Sequence, residues 1–111
     1  MIIKPETRKL WEGASNRYRR GEEMLKNGNL QKAADEISMS FLCAYCAIMG
    51  LSEELEMPDL LVIAKDGLSD YCKMNLIGIH YSPQEKIECS RKSLKLLFEQ
   101  LPQDTLIPFS I

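Results

Sequence analysis

The stretch Met24-Leu25-Lys26-Asn27-Gly28-Asn29-Leu30-Gln31-Lys32-Ala33 decides the fold. Gly28 lacks the Cβ that penalises the left-handed conformation, so it suits the position just past a helix end. Asn29 offers a side-chain oxygen to the unpaired N–H groups of a following helix. On both sides of this punctuation, apolar residues recur every three or four positions. These ten residues therefore stop one helix, start another and fold the pair into a hairpin.

Toward the N-terminus, Leu10, Ala14, Tyr18, Gly21 and Leu25 form one stripe, widened by Trp11 and Met24. Pro5 stands where the first turn of a helix needs no N–H. The spacing predicts a first helix from about Pro5 to Lys26. Toward the C-terminus, Leu30, Ala33, Ile37 and Phe41 share a face, with Gln31, Lys32, Asp35 and Glu36 elsewhere. A second helix is expected from about Leu30 to Met49, ended by Gly50. Phe41 to Met49 is apolar all round, which marks an element covered on several sides. A lone small bundle covers such a helix incompletely, so Phe41, Tyr45 and Met49 are the expected seam of a homodimer.

Ser52 is expected to cap a short acidic turn through Glu56. A third helix is predicted from about Pro58 to Ile77, with a break from Gly78 to Tyr81. Ser82-Pro83-Gln84-Glu85 combines a capping box with proline at the first helical position, a strong start signal. The fourth helix then runs through Ile87, Ser90, Leu94, Leu97 and Leu101, and Pro102 closes it. Strand alternation is nearly absent. With 111 residues and no linker or repeat, the expected fold is a single all-α domain. Its architecture is an antiparallel, up-and-down four-helix bundle with a short extra turn between helices 2 and 3. Residues 103–111 are apolar for a terminus and are expected to pack on the bundle or on a partner.

Net charge is −2, which gives no general attraction to nucleic acid or an anionic membrane. The charge is unevenly spread: residues 1–32 carry +4 and residues 33–72 carry −7. No secretory signal is legible, and the nine-residue apolar run is far short of the ~20 needed to cross a bilayer. A soluble, cytoplasmic protein without membrane association is expected. Cys43 and Cys46 form a C-x-x-C inside the apolar helical run, with Cys72 and Cys89 elsewhere. No second C-x-x-C follows, so these thiols are expected to pack in the core and bind no metal.

Arg17-Tyr18-Arg19-Arg20 places Arg17 and Arg20 on one helix face, able to grip phosphate while Tyr18 packs inward. The alternative pairs Arg19 with Glu22 or Glu23 on a solvated face. Glu53 and Glu56 have an E-x-x-E spacing, but no matching acidic pair follows. Phosphate-binding glycine loops, dinucleotide fingerprints and H-E-x-x-H are all absent, and no cofactor is implied.

The run RRGEEMLKNGNLQKAADEISMSFLCAYCAIMGL, residues 19–51, resembles the first helical hairpin of HEPN domains (higher eukaryotes and prokaryotes nucleotide-binding). A second likeness is Lys73-Met-Asn75-Leu-Ile-Gly-Ile-His80-Tyr81 ahead of the capped fourth helix. HEPN ribonucleases carry an Arg, a polar residue and then a His in this region. The resemblance would assign His80 to proton transfer at an RNA 2′-hydroxyl, Asn75 to orienting it, and a cation to the pentavalent phosphate. Lys73 stands where the family has Arg and offers a point charge rather than a bidentate fork. Members lacking the full motif serve as nucleotide-binding modules or partners of nucleotidyltransferases. The resemblance implies a small binding or regulatory module, dimeric, for a nucleotide, RNA or such a partner. The alternatives are a metal-independent ribonuclease using Lys73, Asn75 and His80, or a pure protein-interaction module.

Overall fold

A computed structural model describes residues 3–53, 55–77 and 80–111. Four helices follow in order: α1 (Pro5–Lys26), α2 (Leu30–Ser52), α3 (Pro58–Asn75) and α4 (Pro83–Gln100). Among the described residues there is no strand, and the fold is an all-α four-helix bundle.

The α1–α2 turn closes as its sequence dictates. Gly28 has φ +79, the Asn29 N–H donates to the Met24 carbonyl at 2.8 Å, and the Gly28 N–H donates to Leu25 at 3.1 Å. This is the paired-bond arrangement that satisfies the last carbonyls of a helix. Asn29 caps α2 by accepting from the Lys32 N–H, and the Ser82–Glu85 capping box opens α4 in both directions.

Small residues let α1 and α2 approach closely along their whole length. A Cβ on Gly21 would stand 2.6 Å from Ile37 Cγ1 and 3.3 Å from the Ala33 carbonyl. The Ser40 hydroxyl, wholly buried, donates to the Ala14 carbonyl at 2.6 Å. At the far end a Cβ on Gly50 would meet Thr7 Oγ1 at 2.7 Å. This explains why α2 does not stop at Gly50. That glycine serves the approach of Thr7, and the helix runs on to Ser52, whose hydroxyl donates back to the Met49 carbonyl instead of capping a new turn.

The buried face of α1 is Thr7, Trp11, Ala14, Tyr18 and Gly21; Leu10, expected in the stripe, is exposed. Its place is taken by Thr7 and Trp11, one residue of phase away. α3 ends at Asn75, two residues before the expected Ile77, and leaves Leu76 and Ile77 exposed. Gly78 and Ile79, part of the expected break, lie outside the described residues.

α2 is the hub. It packs against α1, α3 and α4, whereas no Cα of α1 comes within 8 Å of one in α3 or α4. Ile37, Phe41, Ile48 and Leu51 of α2 are buried with Leu94 and Leu97 of α4. The tip of the Phe41 ring points at α3, where a Cβ on Gly67 would come 2.5 Å from its Cζ.

The space between α1 and α4 is filled by the C-terminal tail, which packs on the bundle of its own chain. The Trp11 indole N–H donates to the Ile107 carbonyl at 2.7 Å, and Thr105 and Leu106 are buried. The Phe109 ring lies 5.5 Å from Trp11, 5.8 Å from Tyr18 and 4.8 Å from Phe98, the last edge-on. Such edge and tilted contacts add to the area that the rings bury.

Three outcomes follow for stability. Gly67→Ala forces the Phe41 ring to move and lowers stability by about 1–3 kcal/mol in urea titration. Gly13→Ala, where nothing lies within 4 Å of the new methyl, raises it by about 0.5–1 kcal/mol. Phe109→Ala costs about 2 kcal/mol, below the ~3–5 of a fully buried ring because it is half-buried here. Trp11 is the chain's single tryptophan, so deleting residues 105–111 shifts its emission to the red as the indole meets water.

Candidate functional site

Lys73, Asn75 and His80 all lie at the end of α3 and the entry to α4, and all three are exposed. Asn75 Nδ2 donates to the Tyr71 carbonyl at 3.0 Å, closing the last turn of its own helix. Among the described residues no hydrogen bond or ion pair joins these three side chains. Within one chain they share an end of the bundle without forming a constellation.

Arg17 and Arg20 do converge, and they converge on Glu36 of α2. Arg17 Nη1 stands 3.7 Å and Arg20 Nε 3.8 Å from the same oxygen, Glu36 Oε2. Helical spacing sets this up, since positions three apart on α1 present both guanidiniums to the flank of α2. The distances are those of ion pairs rather than hydrogen bonds, and Glu36 Oε2 is buried without a hydrogen-bond partner. Pairs this loose and this close to solvent are worth at most about 1 kcal/mol. Arg19 pairs with neither Glu22 nor Glu23 as the alternative held; it donates to Asn16 Oδ1 on its own helix.

The expected dimer seam divides. Phe41 is 2% exposed and belongs to the chain's own core against Gly67, so it is not free to meet a second copy. The helical count that put it beside Tyr45 and Met49 missed that α3 covers this side of α2. Tyr45 and Met49 are half-buried.

The cysteines also depart from expectation. All four are free, none is buried, and Cys46 is exposed. The run is apolar in composition, yet in α2 it keeps Cys46 exposed and Leu42, Cys43, Tyr45 and Met49 half-buried. Burial raises the Cys46 thiol pKa, with Cys43 adding to it, and burial likewise raises that of Cys89, with Asp70 adding to it.

One polar cluster carries no signal in the sequence. Arg91 of α4 reaches across to α1, where its Nε donates to Tyr18 Oη at 2.8 Å and its Nη2 to Glu22 Oε1 at 3.1 Å. The partners lie 73 and 69 positions apart, too far for any spacing rule. Tyr18 is 1% exposed, so its hydroxyl depends on this bond. Burial pushes the Tyr18 pKa above its usual 10.0, against the lowering effect of Arg91. The cluster ties α4 to α1 beside the tail.

The chain matches no protein-family model, no curated protein and no solved structure.

Arg91→Ala leaves the Tyr18 hydroxyl buried and unpaired, and lowers stability by about 1–3 kcal/mol in urea. Tyr18→Phe removes most of that cost in the double variant. Because the folded pKa of Tyr18 lies above the unfolded one, its contribution is complete below pH ~10 and is lost as pH rises through the folded value. Alkaline titration of stability therefore falls more steeply for the parent than for Tyr18→Phe.

Proposed function

We propose that this chain is a small helical binding module, HEPN-like in use, that takes the phosphate groups of a nucleotide or single-stranded RNA with Arg17 and Arg20. The observation that carries the reading is the state of the arginine pair. Two guanidiniums flank one carboxylate oxygen, yet neither donates a hydrogen bond to it or to any other described atom. Their planar forks are ion-paired with Glu36 and keep their N–H donors free of hydrogen bonds to the described residues. A phosphate oxygen can accept from both, while Glu36 keeps them from splaying apart when the site is empty.

The ribonuclease reading has less support. It needs Lys73, Asn75 and His80 at one phosphate, and Asn75 spends its amide on the Tyr71 carbonyl. The basic α1 and the acidic middle of the chain suit the binding reading better. A polyanion approaching α1 meets net positive charge, and the acidic stretch keeps the chain from clinging to nucleic acid indiscriminately.

Fluorescence anisotropy with labelled single-stranded RNA tests the proposal. Binding is expected to weaken with salt, and Arg17→Ala with Arg20→Ala weakens it about tenfold or more. Losing two phosphate contacts reduces the slope of log affinity against log salt by about 1.4. Competition by a mononucleotide separates the two ligand sources. Unchanged affinity and slope in the double variant would remove this surface from consideration.

A further inference from the structure

The open flank of α2 carries a second constellation, made of sulfur. Met39, Cys43 and Cys46 follow one another at i, i+4 and i+7, the spacing that places side chains in a single row on one helix face. α2 is unbroken from Leu30 to Ser52, so that row is held by regular helix throughout. Cys46 is exposed and Met39 and Cys43 are half-buried, which leaves an entry path from solvent. Tyr71 of α3 closes one side of the row: its hydroxyl donates to Met39 Sδ at 3.4 Å and fixes where that sulfur points.

Disulfide formation does not suit this pair. Cβ atoms three apart on a helix stand about 5–6 Å from each other, and a disulfide needs them at about 3.5–4.5 Å. A metal ion held between the two sulfurs spans a gap that a bond cannot. Among the described residues no group of three or more His, Cys, Asp and Glu gathers here or elsewhere. A four-coordinate zinc site therefore lacks its ligands. Two thiolates and one thioether are instead the donors that select a soft ion of low coordination number, copper(I).

We propose that Cys43 and Cys46, with the Met39 thioether as third donor, bind one copper(I) ion on the open flank of α2. Each cysteine gives up its thiol proton to solvent on binding, and copper stays in the +1 state throughout. The Tyr71 hydroxyl acts as a positioning group for Met39 and does not touch the ion.

The test is anaerobic titration of the reduced full chain with copper(I) against a chromogenic copper(I) chelator. Cys72→Ser with Cys89→Ser is expected to keep one tightly held ion per chain. Adding either Cys43→Ser or Cys46→Ser to that background abolishes it, and adding Met39→Leu weakens it by about tenfold or more. Far-UV circular dichroism of each variant confirms that the helices persist, and Cys43→Ala repeats the test with an apolar replacement. Loss of binding on removing only Cys72 and Cys89 would overturn the proposal. So would retention after removing Cys43 and Cys46, or zinc held as tightly as copper(I).

Discussion

The close contact of α1 with α2 is the constraint on which the rest of this structure depends. Gly21 leaves no room for a methyl group against Ile37, Ser40 bonds directly to the backbone of Ala14, and Gly50 admits the Thr7 hydroxyl. A helix pair this close relies on small residues, Gly21, Ala14, Ser40 and Gly50, where the two backbones approach. Of the large apolar side chains of α2, Ile37 packs on Gly21 of α1 and Phe41 on Gly67 of α3. α3 and α4 pack on the sides of α2 that α1 leaves. Gly67 repeats the device on a smaller scale, because Phe41 can lie on α3 only where α3 has no Cβ.

That choice has a cost on the far side. With α2 as hub, the backbones of α1 and α4 stay apart, and side chains and the tail span the space between them, with Trp11 of α1 meeting Phe98 of α4 at a ring-centroid distance of 5.7 Å. Phe109 joins Trp11, Tyr18 and Phe98 in one aromatic cluster, and Arg91 reaches the Tyr18 hydroxyl and Glu22. The apolar tail thus serves as an irregular fifth packing element. Elsewhere α2 keeps an exposed side among the described residues, with Tyr71 of α3 reaching Met39 at its edge. Cys46 is exposed there.

What the sequence made legible was local. The Gly28–Asn29 stop and start, the Ser82–Glu85 box and the prolines at the first turns are decided within four residues, and their chemistry has few alternatives. Gly50 was misread because a glycine that ends a helix and one that admits a neighbouring helix are the same letter. Thr7 and Leu10 exchanged roles because a threonine reads as polar although its hydroxyl and methyl fit a small buried contact. Phe41 looked like interface because the position of α3 is not written in the period of α2. The Arg91–Tyr18–Glu22 cluster was invisible to any spacing rule. Arg17 and Arg20 were legible as a pair, but Glu36, which holds them, was not.

The functional readings rest on the same frame. The arginine pair lies on α1 where it flanks α2, and the row of sulfurs lies on the exposed side of α2. Both positions follow from how closely α1 and α2 meet, so the contact itself is the thing to measure. A methyl-labelled nuclear Overhauser spectrum of the chain does this directly. Strong cross-peaks from the Gly21 α-protons to the Ile37 δ-methyl are expected, because that methyl carbon lies 3.3 Å from where a Cβ on Gly21 would stand. A folded, helical chain with no such cross-peak would contradict the account.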